Sequence, residues 1–208
     1  MTGYLDSISG RLDRSRSAVV VIDMQNDFCA EGGYVETVVG RSAEPCRAVA
    51  EPIGALLADA RAAAVPVIWV RADYEPDKIP PGMLAKQRER SSVVCCAPGS
   101  WGYGFYGVEP REGEAVFDKH CYSAFEGTGL SEHLRAEGIE TLVFAGVQTN
   151  VCVETSFRDA VCRGFYGVLA SDCVASHAPP LHEATLANIG FLFGDVLPRE
   201  EIASHWQG

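Results

Sequence analysis

TLVFAGVQTNVCVETSFRDAVCRG, residues 141–164, changes its hydrophobic period halfway. Residues 141–147 form a continuous apolar run, which suits a strand buried on both faces. From Asn150 the apolar residues recur three and four apart and the segment closes on Gly164, the pattern of an amphipathic helix with a glycine at its end. A buried strand feeding straight into a helix is part of a βαβ unit.

The same alternation recurs outward in both directions. AVVVI (18–22), VPVIWV (65–70), EAVFD (114–118), YGVLAS (166–171) and DVL (195–197) read as further strands. Residues 42–64, 128–138 and 181–190 read as helices, the last two closed by Gly138 and Gly190. This order predicts an α/β protein: a three-layer α/β/α, Rossmann-like fold on a mostly parallel six-stranded sheet with right-handed crossovers. The 208 residues suit one domain spanning 1–208. The longest irregular stretch, 72–113, carries MLAKQRER (83–90) as a helix-like island and has the character of a lid or an oligomer contact.

Charge narrows the partners. Twenty-eight acidic residues against 17 Lys and Arg give a net charge of -11, which repels phosphate backbones and anionic lipid. A small-molecule substrate is expected, with no nucleic acid and no membrane. The apolar run at 18–22 is too short for a signal peptide or a spanning helix, so a cytoplasmic location is expected. The eight cysteines show no C-x-x-C spacing and fall mostly within apolar segments, so they read as reduced and buried. Adjacent Cys95 and Cys96 read as filling of a strand or loop.

In open α/β sheets the ligand crevice lies beyond the carboxyl ends of the strands. Those ends carry Asp23, then Arg71 and Asp73, then Asp118 and Lys119, then the turn from Gly146 to Cys152, then Asp172. An acid, a base and a thiol therefore meet at one edge. Cys152 falls about two residues inside a helix whose N-cap would be Thr149 or Asn150, and the free N–H groups there favour a thiolate of lowered pKa. Those groups also suit an oxyanion. Singly, each residue has a plainer reading: Cys152 as a small buried helix residue, Asp23 as a turn cap, Lys119 as a solvated rim lysine.

Taken together, VVVIDMQNDFC (19–29), FDKHCYSAFEGTGL (117–130), GVQTNVCVETSFRDA (146–160) and the tail from Ser171 to Val196 resemble the isochorismatase-like cysteine hydrolase superfamily over residues 17–198. The resemblance implies Cys152 as nucleophile, Asp23 as its base and Lys119 as the cation holding both. It also implies a non-proline cis peptide between Val147 and Gln148, aiming the N–H groups of Gln148 and Cys152 at an oxyanion. Isochorismatases proper cleave a vinyl ether and need no thiol, so Cys152 favours hydrolysis of a C–N bond. An enol-ether hydrolase and a non-catalytic binding scaffold of the same fold stand as alternatives.

Nicotinamidases of the superfamily bind a metal after the second strand. The corresponding VRADYEPD (70–77) has Asp73 but no histidine, so no metal and no cofactor are expected. The GGY of residues 32–34 and the TNVCVETS-x-RDA pattern resemble the branch of ureidoacrylate, biuret and N-carbamoyl amidohydrolases. Candidate pocket residues are Asn26, Phe28, Trp101, Tyr122 and Phe125, with Gln148 beside the nucleophile. A Cys152/His177 dyad is a further alternative, and either Arg71 or the segment from Lys86 to Arg90 could meet a substrate carboxylate. The family's habit of assembly, with residues 72–113 and FLFGDVL (191–197), points to a homodimer or homotetramer.

Overall fold

The computed structural model describes residues 5–207; the expected domain 1–208 extends at each end into residues outside that range. Strands β1 (Ser17–Ile22), β2 (Val67–Ala72), β3 (Ala115–Lys119), β4 (Thr141–Val147), β5 (Tyr166–Ala175) and β6 (Asp195–Leu197) form one sheet in the order β3-β2-β1-β4-β5-β6. Every neighbouring pair is parallel. The chain winds outward from β1 to β3, returns to the centre at β4, and winds outward the other way. The switch point lies between β1 and β4, where such sheets open a crevice.

The helices are α1 (Ile8–Arg11), α2 (Asn26–Cys29), α3 (Tyr34–Thr37), α4 (Glu44–Ala48), α5 (Ala50–Ala62), α6 (Pro81–Arg88), α7 (Leu130–Ala136), α8 (Glu154–Cys162), α9 (Pro179–Asn188) and α10 (Arg199–Ser204). The central strands bury both faces because their apolar runs are continuous. Val19 and Val21 face Ile53, Leu56 and Leu57 of α5, together with Trp206. Ala18, Val20 and Ile22 face the other way, toward Leu134 of α7 and Phe157 of α8. Each such side chain taken from water contributes roughly 1.5 to 3 kcal/mol, so this double-sided core dominates the fold's stability.

Three local departures from the periodic reading have physical causes. Residues 42–64 are two helices, broken at Val49. Pro52 has no N–H to give the carbonyl four residues back, so the first helix cannot run on. Gly138 and Gly164 do stand just past helix ends with φ of 72° and 90°. Gly190 does not: α9 stops at Asn188, and Gly190 lies inside a π turn, Ile189–Phe193, where a Cβ would come within 3.5 Å of Val196. Within 72–113, Tyr74, Ile79, Met83, Cys95 and Cys96 form a small core of their own over the end of β2.

Candidate active site

The motif after β1 builds the floor of the crevice. Asp23 leaves the strand in the left-handed region, φ 55°, a conformation that aspartate tolerates better than most residues. Gln25 is fully buried and clamps the end of β2: its Oε1 accepts from the Ala72 N–H at 2.7 Å and its Nε2 donates to the Ala72 carbonyl at 3.0 Å. Asn26 donates through Nδ2 to the Trp101 carbonyl at 2.8 Å, and Asp27 accepts from the backbone N–H of Cys96 at 2.6 Å. The Q-N-D part of the motif thus fastens residues 91–105 above the sheet.

The opposite wall comes from the end of β4. The peptide between Val147 and Gln148 is cis, and the chain then turns through a single π turn, Thr149–Val153, that carries Cys152 into α8. Neither Thr149 nor Asn150 caps this turn. Thr149 Oγ1 lies 2.9 Å from His182 Nδ1, and Asn150 Oδ1 accepts from Ser176 at 2.6 Å, so both side chains tie the turn to the segment after β5. Ser156, one turn into the helix, accepts from the Ala124 N–H at 2.9 Å and donates to the Cys152 carbonyl at 2.6 Å.

Lys119, the last residue of β3, joins the two walls. Its Nζ lies 2.9 Å from Asp23 Oδ2 and donates to Cys152 Sγ at 3.3 Å, the Tyr74 hydroxyl at 2.7 Å and the Cys121 carbonyl at 3.1 Å. The Tyr74 hydroxyl is itself 3.4 Å from Cys152 Sγ. All of this is out of solvent: relative exposure is 0% for Lys119, 1% for Asp23 and 4% for both Cys152 and Tyr74. Among the described residues neither oxygen of Asp23 meets a donor at hydrogen-bond angles, so the ion pair with Lys119 is the carboxylate's chief support.

Burial and neighbours set the protonation states. Loss of solvent raises the Asp23 carboxyl above its usual range, opposed by the Lys119 charge. Desolvation works against the Lys119 cation, but the acid and the thiol beside it outweigh that and keep it protonated. Desolvation and then the Asp23 charge push the Cys152 thiol up to about 12, although Lys119 pulls the other way. The lowered thiol pKa expected from the helix start is therefore overturned: at rest the group is a thiol, because burial beside an anion outweighs the amides of one π turn.

A chamber of about 230 Å³ opens onto Cys152. Phe28 and Tyr122 line it, as do Tyr34, Tyr74, Gln148 and His177. Asn26, Trp101 and Phe125 lie outside this lining. Asn26 is spent on the Trp101 carbonyl, the Trp101 ring is 59% exposed, and Phe125 is buried in the core, stacked on Phe165 at 6.0 Å. Aromatic type alone does not tell a wall from a core ring, since both are made of the same residues. His177 reaches the chamber, but its Nδ1 is 2.9 Å from Gln148 Oε1, so it orients that amide rather than the thiol. Sequence reasoning passed over Tyr74 and Tyr34; for Tyr74, its place two residues beyond the end of β2 was the available signal.

Metal-ligand types come together at one place among the described residues: Asp27, Cys95 and Cys96, with ligand atoms within 4.8 Å of one another. The Asp27 oxygens already accept the N–H groups of Cys96 and Tyr34, at 2.6 and 3.3 Å, which makes the group a loop clasp. Asp73 is paired with Lys78 at 2.6 Å. The cysteines of the described residues are all free, and no helix among those residues is long and apolar enough to cross a membrane.

Comparison with known proteins identifies the family. The model of the isochorismatase domain matches residues 17–201. The chain is 34% identical over 197 residues to a ureidoacrylate amidohydrolase RutB of Methylorubrum extorquens, covering 88% of this chain and 79% of that protein. To the RutB of Agrobacterium fabrum it is 35% identical over 198 residues, covering 88% and 86%. A crystal structure of a cysteine hydrolase from Pseudomonas syringae pv. phaseolicola superposes with a TM-score of 0.86 at 28% identity, covering 100% of this chain and 99% of that one. With the family model matching most of its length and curated relatives more than 30% identical over 88% of it, this chain belongs to the isochorismatase family and is an isochorismatase-like hydrolase.

Proposed function

We propose that the protein hydrolyses a C–N bond of a small amide, carbamoyl or ureido compound through a thioester on Cys152. The observation that carries this reading is the fully buried Lys119 ammonium, 2.9 Å from an Asp23 oxygen and 3.3 Å from Cys152 Sγ at the base of a small chamber. Burying an ion pair costs several kcal/mol per ion, and well-packed apolar residues would serve stability as well or better. Chemistry gives such an arrangement a reason to exist. The relatives named ureidoacrylate amidohydrolase support the amide-type bond.

The steps follow from proton positions. As Cys152 Sγ forms a bond to the substrate carbonyl carbon, its proton passes to the ionised Asp23 carboxylate. The carbonyl π electrons move to oxygen, and the backbone N–H groups of Gln148 and Cys152 are the donors suited to hold that oxyanion. Collapse breaks the C–N bond, and Asp23 returns its proton to the leaving nitrogen, which departs as ammonia or an amine. Water then adds to the thioester with Asp23 as base, and the thiol is restored with its proton. Lys119 keeps its proton throughout; its charge favours whichever of Asp23 and Cys152 is anionic.

The test is ammonia or amine release from a panel of small amides and carbamoyl compounds, including ureidoacrylate and biuret, by wild type and Cys152→Ala. Release by wild type that disappears in the variant is the expected result. Vinyl-ether cleavage of isochorismate that survives Cys152→Ala, with no release from the panel, would instead establish acid catalysis by Asp23. Conversion of none of these compounds would favour a binding scaffold.

A further inference from the structure

The chamber above Cys152 opens outward into a wider recess of about 760 Å³, and the two share Val39, Arg90 and His177 in their walls. Among the described residues no aspartate or glutamate lines either space. That is notable in a chain with 28 acidic residues against 17 Lys and Arg, where an unselected surface would carry acids. Instead the recess presents two arginines from separate elements: Arg41, in the loop after α3, and Arg90, just past α6. Neither guanidinium makes a salt bridge or a side-chain hydrogen bond among the described residues, whereas most of this protein's arginines are paired.

The other cations near the crevice are already engaged. Arg71 donates to Asp118 at 2.6 Å and lies over the Tyr103 ring, 4.2 Å from its centroid. Lys86 lines the chamber, but its Nζ is 2.6 Å from Glu89. The start of α9 also faces the recess, yet its first two residues are Pro179 and Pro180, which have no N–H to offer. The free cationic donors at the mouth are therefore the forks of Arg41 and Arg90, shaped for a planar carboxylate.

We propose that the substrate is an anion: a small amide or ureido acid whose carboxylate is held by Arg90, with Arg41 in support, while its scissile carbonyl sits over Cys152. This rests on the hydrolase reading for the carbonyl end alone. A chamber with the Cys152 thiol in its wall, held by Lys119, and cations at its mouth orders a molecule by its two ends. The otherwise acidic surface repels anions elsewhere and leaves the two arginines as the local attraction.

Binding to Cys152→Ala by calorimetry at low salt separates the two readings. The probes are ureidoacetate, 3-ureidopropionate and 4-ureidobutyrate, each with its methyl ester. At least one acid is expected to bind ten or more times more tightly than its ester, with the preference shrinking as salt rises. Adding Arg90→Gln should remove most of that preference, Arg90→Lys should keep part of it, and Arg41→Gln should lower it less. If no acid binds more tightly than its ester, or if Arg90→Gln weakens acid and ester equally, the proposal is overturned. Tight, Arg90-dependent binding of an acid by a protein that releases neither ammonia nor amine from any probe or panel compound supports the anion site and sinks the hydrolase reading.

Discussion

At Cys152 the decisive quantity is where one proton sits. With the thiol pushed up to about 12 and the Asp23 carboxyl raised by burial, the resting pair holds its proton on sulfur, and attack requires Asp23 to be ionised. Activity should therefore be present above the Asp23 pKa and lost as pH falls through it. In a profile of kcat/KM the acid limb should lie above the ordinary value of 3.8, with no second rise near 9 where a free thiol ionises. A rise near 9 would mean that Cys152 reacts as an independent thiolate. Tyr74 touches both Lys119 and the sulfur, so Tyr74→Phe removes a partner from each without changing ring volume. Expected is a fall in kcat on the order of a hundredfold with KM little altered, which steady-state kinetics on the best panel substrate would measure. A variant matching wild type would make the tyrosine a wall and nothing more.

Among the elements, the junction of β1 and β4 has the least room for change. Gly146 pairs with Ile22 in the sheet and holds φ at 116°; a Cβ there would stand 2.0 Å from the Ile22 carbonyl oxygen. Backbone cannot retreat from backbone at the centre of a six-stranded sheet. Gly146→Ala should thus cost at least about 3 kcal/mol. In thermal unfolding that is a drop in Tm of roughly 6 to 12 °C for a chain of this size, with activity falling in parallel because Cys152 follows six residues on. Unchanged Tm would show that the strands can part without penalty. The element ends were less legible than the elements themselves. Continuous apolar runs mark buried strands wherever they occur, but whether residues 42–64 make one helix or two turned on a single proline, and the glycine at 190 proved to lie inside a π turn rather than past a helix end.

For the molecule as a whole, the assembly into a homodimer or homotetramer stands as a proposal, and its test lies on one surface. Phe191 and Leu192 are 83% and 71% exposed, side by side in the π turn after α9, and such neighbours are often covered by a second copy. Light scattering of the wild type should give a dimer or tetramer, and Phe191→Asp should shift it toward monomer; a wild type that is already monomeric would end the idea. What the chain's residues determined alone was the fold class and the row of polar strand ends, from which the family resemblance singled out Asp23, Lys119 and Cys152. Apolar periodicity is a local property, and the three motifs lie at strand ends whose position follows from the βαβ order. What only the tertiary structure decided was the character of that trio and of the space above it. Whether Lys119 is solvated or fully buried, whether Cys152 rests as thiol or thiolate, and which aromatic rings form a wall depend on solvent exclusion and on distances between segments far apart in the chain. Tyr74, His177, Arg41 and Arg90 enter the crevice from four separate stretches, and no spacing along the sequence records that they meet.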